Sequence, residues 1–392
     1  MAPPRLYLDW NATSPLHPAA REAVLSALAL FGNPNSVHGE GRAVRAAIEG
    51  ARRQIAALTA AEPANVIFTS GATEAANMVL TPDFRMGRTP LAIDHLYYSA
   101  IEHPAVREGG RFPAEKTTEI PVTSAGVVDL AALERLLAGH DKAPGLPMVA
   151  IMLVNNETGV VQPVREAAKI VQTYGGLLVV DAVQAAGRLK LDINELGADF
   201  LIVSSHKLGG PKGAGALVSR GEALMPRPLI RGGGQEKGHR SGTENSAAII
   251  GFGASAAAAL AEFDERNSRF ERLRDRLEAG MRRSAPGLLI YGADGPRVSN
   301  TSFFTLPGLK AETGQIAFDL EGVALSAGSA CSSGKVGESH VLVAMGGDPK
   351  MGALRISLGF ATTEEEIDRA VAAFAKIAGR CRPAGEAARR PH

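Results

Sequence analysis

Two short, wholly apolar runs dominate the middle of this chain: Leu177-Leu178-Val179-Val180 and Phe200-Leu201-Ile202-Val203. A helix-length stretch separates them, so they read as neighbouring parallel strands joined by a crossover. The first run ends in Asp181-Ala182-Val183-Gln184 and the second in Ser204-Ser205-His206-Lys207. Asp181 and Lys207 are therefore expected at strand C-terminal ends, where open α/β sheets hold their ligands. A lysine amine able to form a Schiff base, with a carboxylate able to hold a pyridinium proton, suits pyridoxal phosphate. The plainer reading is a surface lysine and a helix-capping aspartate, and on this pair alone the two stand level.

Further apolar runs at Val66-Ile67-Phe68, Met148 to Val154 and Ala214 to Val218 alternate with helix-like stretches from about residue 20 to 255. That alternation predicts an α/β fold with a mostly parallel sheet covered by helices. From 254 to 284 an alanine- and charge-rich stretch predicts one long connecting helix. Beyond it, strands over Val298 to Leu306 and Leu354 to Leu358, with a last helix over 364–378, predict a smaller α+β unit. The expected division is a large cofactor-binding domain over 15–255 and a small domain made of 1–14 and 256–392. A chain of 392 residues is long enough for two such units.

The 42 Lys and Arg nearly balance the 41 Asp and Glu, so no basic surface for nucleic acid is expected. No apolar run approaches the ~20 residues that span a bilayer. The opening residues lack the apolar core of a secretion signal. The two cysteines, Cys331 and Cys381, form no disulfide framework and no Cys-x-x-Cys pair. A reducing, cytoplasmic setting is expected, in which a lone cysteine can serve as a nucleophile.

Several segments can carry chemistry. Thr69 to Asn77 follows a strand and opens a helix, and its small residues Ser70-Gly71-Ala72-Thr73 let backbone N–H groups approach a phosphate. Alone it is equally a capped helix. His103, before Pro104, can stack on a cofactor ring and move protons, although a turn histidine is more often structural. Asn155-Asn156-Glu157 follows another buried strand, where an amide can bind a carboxylate or a phenolic oxygen, or merely form an Asx-turn. Thr243, in the glycine-dense segment 231–245, can reach a phosphate; neither this run nor 210–213 fits a P-loop. Cys331 lies among Ser, Gly and Ala at 325–337, the composition of an exposed loop, with Lys335 near enough to lower its pKa. Arg355, in a strand-like run, offers a bidentate fork for an α-carboxylate or for a structural ion pair.

Taken in order, these motifs resemble the cysteine desulfurases of the NifS/IscS type, among the class-V aminotransferase-like, fold-type I pyridoxal-phosphate enzymes. The resemblance runs from Tyr7-Leu8-Asp9 to about Ala378. It rests on Ser-Gly-Ala-Thr-Glu at 70–74, Glu-His at 102–103, Asn-Asn-Glu at 155–157, Asp-x-x-Gln at 181–184, Ser-x-His-Lys at 204–207, Arg-Ser-Gly-Thr at 240–243 and Gly-Ser-Ala-Cys at 328–331.

The resemblance implies that Lys207 carries pyridoxal phosphate and moves protons, while Asp181 pairs with the pyridinium nitrogen. It implies that Gln184 bonds the phenolic oxygen, that His103 stacks on the ring as acid and base, and that Thr73, the Ala72 backbone, Ser204 and His206 hold the phosphate. Thr243 would reach the phosphate of a neighbouring subunit, so a homodimer is implied. Asn156 and Arg355 would fix the carboxylate of L-cysteine. Cys331 would take its sulfur as a persulfide, leaving alanine, for delivery to an acceptor such as an Fe–S scaffold or a tRNA-thiolation carrier. The Ser-Ala-Gly-Ser-Ala-Cys setting differs from the Arg-x-Gly-x-x-Cys of the other desulfurase branch. Asn33 to His38, Trp10-Asn11 and His239 depart from the family's usual residues. Selenocysteine lyase is the adjacent alternative. Another lyase or an aminotransferase of the same fold would not need Cys331, and a non-catalytic scaffold would need none of these groups.

Overall fold

A computed structural model describes residues 5–108, 110–328 and 338–381. Among them a nine-stranded sheet contains β2 (Val66–Thr69), β3 (Asp83–Met86), β4 (Thr89–Ser99), β5 (Thr117–Ile120), β6 (Leu146–Met152), β7 (Leu177–Asp181), β8 (Phe200–Ser204), β9 (Gly215–Ser219) and β10 (Leu224–Pro226). Its order is β10-β3-β4-β6-β7-β8-β9-β2, with β5 also paired to β4. Strands β5, β4, β6, β7 and β8 are mutually parallel, as the short apolar runs predict. Strand β9 runs against both β8 and β2, and β3 runs against β4 and β10. The sheet is thus parallel at its centre and mixed at its flanks.

The central strands are buried on both faces, which is why their sequences are continuous apolar runs rather than alternations. One face packs Phe200, Ile202 and Leu217 against Met78 and Val79. The other packs Leu201, Val203 and Val218 with Phe252 and Ile55.

A second sheet contains β11 (Leu289–Ile290), β12 (Thr301–Thr305), β14 (Ser326–Ala327) and β15 (Leu354–Ser357), in the order β11-β12-β15-β14. The first strand of the chain, β1 (Leu6–Tyr7), pairs in parallel with β13 (Val323–Ala324). Leu6 and Leu8 consequently lie in one core with Phe304, Phe318 and Phe374.

The single connecting helix expected over 254–284 is two helices, Ser246–Ala261 and Phe263–Ser284, bent by 73° at Glu262. The physical reason is a change of partner. Ala248, Phe252, Ala256 and Ala259 pack under the large sheet, whereas Phe270, Leu273, Leu277 and Met281 join the second core. The last helix spans Glu364–Ala378 and starts with a reciprocal capping box between Thr363 and Glu366. Among the described residues no single helix is long and apolar enough to cross a membrane.

Candidate active site

At the C-terminal ends of the parallel strands lies a cleft of about 630 Å³, lined by residues that include Ser70, Thr73, His103, Asn156, Asp181 and Lys207. Its position follows from the topology: β7 delivers Asp181, and β8 runs into a short turn over Ser205–Lys207. The register Asp181↔Ile202 sets the two strand ends side by side. The Lys207 amine donates to the carbonyls of Asn11 (2.6 Å) and Ala12 (2.8 Å), which hold it against the cleft wall.

Asp181 accepts a hydrogen bond from the Val183 N–H (2.9 Å). Burial pushes its carboxyl up to about 6, against the opposing pull of that hydrogen bond and of Lys207. His103 caps the helix Pro104–Arg107, its Nδ1 accepting from the Ala105 N–H (3.1 Å). That bond leaves the proton on Nε2. Burial first, then Lys207 and His340, lower its pKa to about 4, so the ring is neutral near pH 7. The cap and the site residue are therefore one side chain.

His206 is lowered to about 4 by burial and by Lys207, and its Nδ1 lies 3.1 Å from the Thr13 hydroxyl. Ser204 is buried at the end of β8 and lines the cleft.

The helix Ala72–Val79 points its N-terminus into the cleft. Glu74 takes the N–H of Ser70 (2.8 Å) and its hydroxyl (2.5 Å), and pairs with Arg240 (2.9 Å). Ser70 is thereby spent on its own helix, and Ala72 and Thr73, whose first-turn N–H groups have no partner within the helix, line the cleft. Strand β9 passes directly beneath this turn: a Cβ on Gly215 would lie 2.6 Å from the Gly71 carbonyl carbon. Only glycine lets the strand and the turn approach so closely.

Gln184 is buried, with Nε2 donating to the Asn11 carbonyl (3.0 Å) and Oε1 accepting from Arg188. One amide proton is left over. Asn156 lines the cleft, and its backbone carbonyl accepts from Arg355 (2.9 Å). Arg355 itself is fully buried behind Asn156 and pairs with Asp9 (2.7 Å); it is not among the described residues that line the cleft. Thr243 is exposed and also lies away from this chain's own cleft. Cys331 falls outside the described residues. The described chain on either side of it, Gly328 and Ser339, meets Glu157: the Ser339 hydroxyl donates to Glu157 Oε2 (2.6 Å), and a Cβ on Gly328 would lie 2.6 Å from the same oxygen.

An amine, a half-buried carboxylate and an open helix N-terminus thus converge on one cleft, a donor set that fits pyridoxal phosphate: imine carbon, ring nitrogen and phosphate in turn. Among known proteins, the family profile for aminotransferase class V matches residues 6–370. The chain belongs to the class-V aminotransferase family. This class-V chain is 36% identical to an IscS-like cysteine desulfurase of Mycobacterium tuberculosis, over 97% of this chain and 98% of that protein. Among solved structures, a NifS-like protein from Rickettsia africae superimposes with a TM-score of 0.84 at 34% identity, covering 95% and 99% of the two chains. SspA in complex with cysteine gives a TM-score of 0.74 at 27% identity, covering 90% and 98%.

Sequence reasoning passed over the contribution of the chain's start to this class-V cleft. Ala12 and Thr13 line it, and Asn11 braces it by donating to Thr301 Oγ1 (2.9 Å) and the Asn156 carbonyl (3.3 Å). The local signal is a polar Asn-Ala-Thr four to six residues past the short apolar strand Leu6–Tyr7. Glu102, which in the sequence stands out only as the neighbour of His103, is completely buried.

Proposed function

We propose that this class-V chain is a pyridoxal-phosphate-dependent cysteine desulfurase, converting L-cysteine to L-alanine with the sulfur held on Cys331. The observation that carries the reading is Lys207 and Asp181 at adjoining strand ends, facing one cleft with the start of the helix Ala72–Val79. The similarity to proteins named cysteine desulfurase supports the substrate. Bound there, pyridoxal phosphate supplies an electron sink that acidifies the substrate Cα–H and makes its sulfur transferable.

The chain's own groups do the rest. Lys207 Nζ holds the cofactor and then carries a proton at Cα. Asp181 holds the ring-nitrogen proton, and the spare amide proton of Gln184 is available to the phenolic oxygen. The N–H groups of Ala72 and Thr73, with Thr73 Oγ1, Ser204 and His206, hold the phosphate, where the helix N-terminus favours negative charge. His103, neutral with its proton on Nε2, stacks on the ring and exchanges protons with the substrate. Asn156 fixes the substrate carboxylate, with Arg355 behind it. The Cys331 thiolate attacks the substrate sulfur and forms a sulfur–sulfur bond. The Cβ–S bond breaks with its electron pair going to carbon, which is then protonated to alanine.

The same reading includes a homodimer in which Thr243 serves the partner's phosphate, a cytoplasmic setting, and delivery of sulfur to an acceptor such as an Fe–S scaffold. It also includes a two-domain division. We place the boundary at the Glu262 bend rather than at 255/256, because the helix ending at Ala261 packs with the large sheet.

The test is paired release of alanine and sulfide from L-cysteine with a thiol reductant, for wild type and Cys331→Ala. Equal yields from wild type, and neither from a variant that still binds pyridoxal phosphate, support the reading. Wild-type alanine release by Cys331→Ala moves the reading to another lyase of this fold.

A further inference from the structure

Beside the cleft, and sharing Lys207 with it, lies a small recess of about 30 Å³ whose lining includes Trp10, Arg188, Arg266, Phe270 and Phe360. Its two guanidinium groups come from distant parts of the chain: Arg188 follows β7, and Arg266 stands in the first turn after the Glu262 bend. Both residues are more than nine-tenths buried. Arg188 Nη1 donates to the Gln184 carbonyl (2.7 Å) and to Gln184 Oε1, while its Nη2 has no partner among the described residues. Arg266 Nη2 pairs with Glu262 (2.6 Å), and its buried Nε has no partner. Arg266 Nη1 is also unpartnered among the described residues. It lies on the recess wall, 4.0 Å from where a Cβ on Gly187 would stand. A recess of this size admits one water-sized occupant, so both guanidinium groups border whatever sits there.

Arginine keeps its proton near pH 7, so neither group can shed its charge, and a buried charge without a partner is costly. Glu262 is already divided: one oxygen takes Arg266, the other lies 3.3 Å from His17, and 43% of its side chain is exposed. Arg355 is matched by Asp9. Arg188 has no carboxylate partner among the described residues. Burial, then Arg355 and Arg266 of its own sign, push its pKa down to about 9, which still leaves it charged at neutrality. A water in the recess would take the spare N–H groups but leave this charge unbalanced. An anion answers both needs. The volume is too small for phosphate or sulfate, and the apolar rings on the wall suit an ion that gives up its hydration readily.

We propose that the recess lined by Arg188 and Arg266 is a binding site for one small monovalent anion of the halide class, such as chloride. The site stands apart from the sulfur chemistry and does not depend on it. Its place in the fold nevertheless links it to the cleft. Arg188 holds Gln184, whose side chain lines the cleft, so an ion that fixes Arg188 also fixes that amide. The bend at Glu262 belongs to the same arrangement, since it sets Arg266 against the turn that bears Gly187 and Arg188.

Two measurements on the full chain test this together. Crystals grown with bromide as the halide should show an anomalous peak in the recess, against guanidinium nitrogens of both Arg188 and Arg266. In solution, thermal unfolding is followed as chloride replaces gluconate, an anion too large for the recess, at constant ionic strength. The wild-type midpoint should rise and saturate, by about 2–4 °C, because an ion that binds the folded chain stabilises it by mass action. Arg266→Met, which keeps an apolar stem and removes one of the two charges, should lose the saturable rise. A recess without a bromide peak overturns the proposal. So does a peak with no saturable response, which would be binding at crystal concentration only. An equal response in Arg266→Met overturns it as well, because the chloride would then act elsewhere. If Arg266→Met does not fold, the bromide map and the wild-type response decide: both present support the site, and either one missing overturns it.

Discussion

Glu157 is a buried carboxyl between Asn156 of the cleft and Ser339, and burial pushes it up to about 7 against the opposing effects of Ser339 and Arg355. Unfolded, it titrates near 4.5. Between these values the unfolded chain has lost the proton that the folded chain keeps. The stability present below about pH 4.5 is therefore lost as pH rises through about 7, and levels off above it. Glu157→Gln, which still accepts from Ser339, should remove that slope. Denaturant titrations should find the variant level with wild type at low pH and more stable by up to about 3 kcal/mol above neutrality. A difference that does not change with pH would show that Glu157 is ionised. Arg355 poses the opposite problem, a buried cation whose place depends on Asp9. Asp9→Asn is expected to cost about 3–5 kcal/mol of stability. It should also raise KM for L-cysteine more than it lowers kcat, because the guanidinium would no longer be held behind Asn156. Steady-state kinetics on the fraction that remains folded would reveal an unchanged KM if Arg355 has no part in binding substrate.

At the scale of elements, the turn into the helix Ala72–Val79, proposed above to hold the phosphate, depends on how closely β9 passes beneath it. A Cβ on Gly215 meets backbone atoms of Gly71, which cannot swing aside as a side chain would. Gly215→Ala should therefore shift the turn, at a cost of about 1–3 kcal/mol, and weaken pyridoxal-phosphate binding about tenfold or more, equivalent to ~1.4 kcal/mol. Gly221→Ala, where an added Cβ meets nothing within 4 Å, is the control. Equal cofactor affinities by equilibrium dialysis would show that the turn does not need the glycine. Sequence made the strand cores legible because burial on both faces writes itself as an uninterrupted apolar run. It could not tell the direction of β9, since Gly215 to Ser219 reads alike either way and direction depends on the neighbours β8 and β2. The bend at Glu262 escaped for a related reason: both flanking stretches form helix, and only their different partners break them apart. The same limit applies to the cleft. Asp181, Lys207 and His103 stand at strand or helix ends that their own neighbours mark, whereas Asn11 and Asp9 act on residues such as Lys207 and Arg355, far along the chain. Glu102 was hidden because nothing beside a carboxylate in sequence announces its burial.

At the scale of the whole molecule, the proposed homodimer assigns Thr243 to the partner's site. Arg240 ties the segment bearing Thr243 to Glu74 of the same chain's helix Ala72–Val79, yet Thr243 is exposed and does not line that chain's cleft. Under the proposed homodimer, a segment fixed at its root, with its hydroxyl outside its own site, would complete the neighbour's site. Complementation tests this directly. Lys207→Ala should be inactive, and Thr243→Ala should bind pyridoxal phosphate weakly and turn over slowly. In a mixed dimer, the site with Lys207→Ala stays dead. The other site keeps its lysine and receives an intact Thr243 from the partner chain. Mixed dimers, isolated with two different affinity tags, should therefore regain about half the wild-type activity per dimer, one sound site of two. If Thr243 serves its own chain, the one site with a lysine also lacks the threonine, and the mixed dimer can be no better than half as active as the Thr243→Ala homodimer. The two outcomes differ by the whole effect of the Thr243 substitution, so a single titration of subunit ratios separates a shared site from two independent ones.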